Sequence, residues 1–141
     1  MRSWLFMLGI ALAGCGDDGG EGAPTGAQCP NPDPGTLTYD NFGMQFMSSY
    51  CTMCHDSALT GAERNGAPAF HDFDTLLGIL DVEDHIDEQA GFGPDAQNTL
   101  MPPTRCPSSI GGPLDTNCAK PSDDERRKLA EWLACERGRP H

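Results

Sequence analysis

In the run Cys51-Thr52-Met53-Cys54-His55, two thiols stand three residues apart and an imidazole follows at once. Two sulfurs on a single turn can reach the two vinyl groups of one porphyrin. The next residue then presents a ring nitrogen to the iron from the same side. Cys51 and Cys54 are therefore candidates for covalent attachment of one haem c, and His55 for its axial ligand. A redox-active dithiol would need a strand ahead of it and a βαβ setting, whereas the preceding segment has helical spacing. A structural zinc site would need a second ligand pair, and Cys106 and Cys118 are too far apart in sequence to form one knuckle.

Three predicted helices position these groups. Thr38-Tyr39-Asp40 can open the first, with Phe42, Phe46 and Tyr50 recurring at helical spacing on the way to Cys51. Residues from Asp74 to about Gln89 predict a second, whose buried side is Leu76, Leu77, Leu80 and Ile86. Ser122 with Glu125 three residues on is a capping box for the last. Acids in its first turn suit the helix dipole, the run Arg126-Arg127-Lys128 follows, and Leu129, Trp132 and Leu133 share one face. Between the second and last helices lies Met101-Pro102-Pro103. Its thioether is a soft ligand for haem iron, and the prolines restrict the loop that carries it. His71 and His85 are alternative axial ligands.

The N-terminus bounds the compartment. Arg2 precedes the apolar run Trp4–Ala13, which is shorter than the ~20 residues a membrane-spanning helix needs. It reads as a signal-peptide core. The ending Leu12-Ala13-Gly14-Cys15 resembles the lipobox of bacterial lipoproteins, which implies a signal peptide over 1–14 and lipidation of Cys15. Gly16 after the cysteine leans to the outer membrane over the inner. Residues 15–37 then read as lipidated cysteine and flexible tether, because so few large apolar side chains cannot offset the entropy of ordering. A single domain over 38–141 completes the chain.

In an exported protein the four other cysteines read as disulfides. Four allow three connectivities. The expected pairs are Cys106–Cys118, closing the loop after Met101, and Cys29–Cys135, tying the tether's end to the last helix. The net charge of −12, from 21 acidic and 9 basic side chains, excludes nucleic acid as a partner. It also excludes electrostatic docking to anionic lipid, leaving the lipid anchor as the link to the membrane. It suits a basic protein partner.

On these residues, positions 36–137 resemble a class I cytochrome c domain. The resemblance implies an all-α fold with long loops, in which three or four short helices wrap one covalently bound haem. It implies that Gly43 lets the first and last helices cross closely, with Trp132 packed at the crossing. It gives the loop Gly66-Ala67-Pro68 a backbone carbonyl that accepts from the ligand histidine, and it makes Met101 the sixth ligand. The implied function is electron transfer in the cell envelope, periplasm-facing or at the surface. The chain would be a carrier or an oxidoreductase subunit, not itself an enzyme. Two alternatives stay open: a haem c enzyme or sensor binding a small ligand at the sixth position, and a haem-free, disulfide-rich lipoprotein that binds a partner.

Overall fold

The computed structural model describes residues 21–141. The expected signal peptide, Cys15 and the first residues of the tether lie outside the described residues. The chain is mostly helical with long loops, and it also holds one small antiparallel sheet. The all-α expectation is corrected on that point. A π-helical turn, Tyr39–Gly43, runs directly into α1, Met44–Tyr50. A 3-10 turn, Gly61–Arg64, interrupts the loop that follows. Then come α2, Leu76–Leu80, and α3, Glu83–Ala90. The hairpin β1, Arg105–Pro107, and β2, Leu114–Asn117, precedes α4, Asp123–Glu136.

The first and last helical segments start at satisfied caps. Thr38 accepts from the Asn41 amide, and the Asn41 side chain accepts from the Thr38 amide at 2.8 Å. Ser122 and Glu125 close the expected box at α4, with the Ser122 amide donating to Glu125 Oε2 at 2.8 Å. From these starts the apolar faces meet. Phe46, Met47, Phe73, Ile79, Ile86, Ala90, Leu129, Trp132 and Leu133 form one core.

The crossing of the first and last helices falls at Gly43. A β-carbon built there would lie 2.3 Å from Trp132 Cζ2. Trp132 cannot retreat, being fully buried with its indole N–H donating to Glu136 Oε2 at 3.0 Å. Gly43→Ala should therefore lower unfolding stability despite the better helix propensity of alanine. The gain of about 1 kcal/mol in propensity is set against an overpacking cost of about 1–3 kcal/mol. A urea titration checks this; an unchanged midpoint would mean that the indole is free to shift.

The predicted middle helix is two helices. Val82 leaves helical geometry (φ −136°, ψ 26°), and α3 restarts from it. The break turns Ile79 inward, fully buried, and leaves Leu77 70% exposed, so the expected buried side was wrong at Leu77 and missed Ile79. Gly78 makes the tight fit possible, since a β-carbon there would fall 2.1 Å from the Asp72 carbonyl oxygen.

The folded body also begins earlier than residue 38. Thr25 is fully buried, its amide and hydroxyl donating to the two Asp87 carboxylate oxygens at 2.8 and 2.7 Å. The Asn98 side chain brackets Ala23 from both sides, accepting at 3.2 Å and donating at 2.7 Å. The Cys29–Cys135 disulfide then ties this strap to α4, and Cys106–Cys118 closes the hairpin. These are the two pairs expected from the sequence. Among the described residues no helix is long and apolar enough to cross a membrane.

Candidate functional site

The chain leaves α1 in a tight pair of turns. The Cys51 and Thr52 amides donate to the Met47 carbonyl at 2.8 and 3.0 Å, and the Cys54 and His55 amides to the Cys51 carbonyl at 3.2 and 3.1 Å. Cys51, Cys54 and His55 thereby border one cleft, of about 230 Å³. Phe46, Phe73, Ile86, Ala90 and three prolines give the cleft a mostly apolar wall, and Met101 lines it too. The hairpin closes one side: Cys106 reaches the cleft, and the Gly111 amide donates to the Met53 carbonyl at 3.2 Å.

The state of each donor follows from its surroundings. His55 Nδ1 lies 3.2 Å from the His71 carbonyl oxygen, and the ring stacks on Phe73 at 4.3 Å between centroids. A carbonyl can only accept, so Nδ1 carries the proton and Nε2 keeps its lone pair. Burial pushes His55 down to about 4; the His71 carbonyl opposes that, and positive charge at His71, Arg64 and His85 adds to it. The imidazole is thus neutral near pH 7, the form that ligates a metal. Burial raises the Cys51 thiol to about 12 and also raises Cys54, where an Asn65 hydrogen bond opposes the shift. Thiols kept protonated suit neither dithiol exchange nor reactive nucleophilic chemistry.

The carbonyl that meets His55 is not in Gly66-Ala67-Pro68, as the resemblance implied, but at His71. The Pro68 carbonyl accepts from Arg64 Nη2 at 2.8 Å instead. Arg64 organises the whole loop. Its side chain is buried, donates to the carbonyls of Asp56, Leu59, Ala67, Pro68 and His71, and pairs with Asp72 at 2.9 Å. Sequence reasoning missed this residue, because acceptors that are backbone carbonyls leave no mark in residue type.

His71 and His85 also line the cleft. His71 approaches His55 by its carbonyl, on the Nδ1 side, and the His85 ring meets the His71 ring edge-on at 5.2 Å. The two alternative imidazoles gather with His55, whereas Met101 arrives on a separate loop. Among the described residues, the cluster of three possible metal ligands is Cys29, Asp33 and Cys135, whose two sulfurs are joined to each other. Cys51, Cys54 and His55 are not part of that cluster.

No protein-family model matches the chain, and no solved structure matches it. It is similar to Laccase-1 of Botryotinia fuckeliana, 32% identical over 98 residues, or 65% of this chain. The match spans 17% of the length of that protein, and no activity carries over from it.

Proposed function

We propose that this chain is a mono-haem c-type electron carrier of the bacterial cell envelope, of the class I cytochrome c kind. Haem would be bound through Cys51 and Cys54, with His55 and Met101 as axial ligands. The observation that carries the reading is that one apolar cleft collects both unpaired cysteines of the described residues, His55 and Met101. Cys51, Cys54 and His55 come from one turn, while Met101 comes from a distant loop and lines the same cleft.

The donors fit the group. The four other cysteines of the described residues are spent in disulfides, while Cys51 and Cys54 remain thiols at the cleft. His55 is neutral with its free nitrogen unprotonated, and a thioether is the soft second ligand that such iron takes. When bound, haem supplies one-electron redox chemistry; the protein sets its potential and the exposure of its edge. The residues of the chain hold, desolvate and orient. The acidic balance of −12 suits a basic redox partner, steered most strongly at low salt. The disulfides suit an oxidising compartment, and Cys15 would provide the anchor.

Protein exported from a host with haem-maturation machinery tests this directly. The intact mass should exceed that of the processed polypeptide by one haem, and Cys51→Ser/Cys54→Ser should remove the addition. Met101→Ala should keep the haem and lose the far-red absorption of the ferric thioether complex. Colourless wild-type protein, with Cys51 and Cys54 joined or metal-bound, would end the reading in favour of a haem-free partner-binding lipoprotein. The 39% exposure of Met101 favours a second reading, a displaceable sixth ligand in a sensor or enzyme domain. Rapid carbon monoxide binding by reduced wild type would select it.

A further inference from the structure

The segment Met101-Pro102-Pro103 has an unusual backbone inventory. Two prolines contribute no N–H, so the three residues own one donor and three carbonyls. All four groups have partners. The Met101 amide donates to the Gln89 carbonyl at 2.9 Å. The Met101 carbonyl accepts from Arg126 Nη1 at 2.9 Å. The Pro102 and Pro103 carbonyls both accept from Lys120 Nζ, the latter at 2.7 Å. Every carbonyl of the segment is held by a cation.

The two cations differ. Lys120 is an exposed residue. Arg126 is 3% exposed, and among the described residues it makes no ion pair. Its Nη1 also donates to the Ala90 and Asn98 carbonyls at 2.9 and 3.1 Å, and its guanidinium lies 5.8 Å from the Phe92 ring centroid. A buried cation without a carboxylate is costly unless strong acceptors surround it. Here the acceptors are the end of α3, the strand-like stretch after it and Met101 itself.

Placement completes the case. Arg126 sits in the first turn of α4, its amide bonded to the Ser122 carbonyl at 3.0 Å, so the capping box sets its position. The adjacent Glu125 accepts from the Tyr50 hydroxyl at 2.9 Å, and Tyr50 precedes Cys51. One helical turn therefore reaches both walls of the cleft: Glu125 the end that carries the cysteines, Arg126 the loop that carries Met101. A methionine side chain has three rotatable bonds, and holding its backbone limits the places the sulfur can reach.

We propose that Arg126 is a positioning residue for the sixth ligand: its bond to the Met101 carbonyl aims the thioether into the cleft. This rests on the haem reading above. Arg126 would act through the loop and not by touching the iron.

The test uses haem-loaded protein. Arg126→Gln should retain the haem mass, lose most of the far-red band and bind carbon monoxide at least tenfold faster when reduced. Arg126→Lys, which keeps the charge with fewer fixed donors, should recover part of the band. A merely structural role would lower the unfolding temperature and leave the band intact in the folded protein, and that result overturns the proposal. Should Arg126→Gln not fold, Arg126→Lys decides: it should retain the haem mass with a weakened far-red band, and a band equal to that of wild type overturns the proposal. Wild type that carries haem but shows no far-red band also overturns it while sparing the haem reading. Wild type without haem overturns both.

Discussion

Removing the Cys29–Cys135 cross-link should cost more stability than removing Cys106–Cys118, although each is a single bond. The bridged residues are 106 apart in sequence in the first case and 12 in the second. In the chain-entropy account, a longer closed loop restricts the unfolded chain more, giving about 4.7 kcal/mol for the first and about 3 kcal/mol for the second. The local geometry pushes the same way. Without Cys29, the strap over 21–30 depends mainly on polar contacts, Thr25 with Asp87 and Asp95 and Ala23 with Asn98. Against a total stability of about 5–15 kcal/mol, the loss leaves the variant near its folding limit. Cys29→Ala/Cys135→Ala and Cys106→Ala/Cys118→Ala are compared by urea unfolding of otherwise identical protein. A difference of about 2 kcal/mol in the stated order is expected. The reverse order would place the main constraint in the hairpin beside Met101 and not in the closure of the chain.

Residue type and spacing made part of the site legible. Cys51, Cys54 and His55 mark themselves, since few chemistries want two thiols and an imidazole so spaced. Met101 could be picked out because prolines followed it. Gly43 and Trp132 were tied together through the resemblance, and the 2.3 Å approach at that point shows why no larger residue fits. Caps at Thr38 and Ser122 were legible because a cap is a contact between near neighbours.

What stayed hidden depends on distance in the chain or on backbone atoms. The carbonyl that orients His55 belongs to His71, and a carbonyl belongs to every residue alike. In the run Arg126-Arg127-Lys128 nothing in the order of the letters says that Arg126 is the buried one; the answer lies in where Ala90, Asn98 and Met101 place their oxygens. The middle helix looked continuous because a pattern of Leu and Ile survives a one-residue break. The break at Val82 and the close packing of Gly78 on the Asp72 carbonyl go with Ile79, and not Leu77, turning inward. Composition likewise suggested a loose tether up to residue 37, yet Thr25 is buried, since one threonine with a partner carboxylate can anchor a stretch that has no apolar face.

Arg64→Met should be the most damaging single side-chain change in the loop between α1 and α2. The substitution keeps an unbranched apolar stem and removes every donor. Five carbonyls lose a charged partner at once, and the Asp72 carboxylate, 28% exposed, loses its ion pair. Charge-assisted hydrogen bonds are worth roughly twice neutral ones. Breaking a buried pair from one side costs about 3–5 kcal/mol. Water can re-solvate the outer carbonyls and Asp72, which keeps the loss within that range and well below the sum over all six contacts. The damage should concentrate where the contacts are. Amides from Asp56 to Asp72 should exchange with solvent much faster than those of α4, and His55 should lose its fixed tautomer, because the His71 carbonyl accepts from both Arg64 at 2.9 Å and His55 at 3.2 Å. Arg64→Lys should restore less than half of the stability, for a single ammonium has three donors and cannot span acceptors set around a planar fork. Urea unfolding gives the total and hydrogen exchange its location. A lysine variant as stable as wild type would mean that charge at this point suffices, and that the directed contacts to the loop contribute little to holding His55.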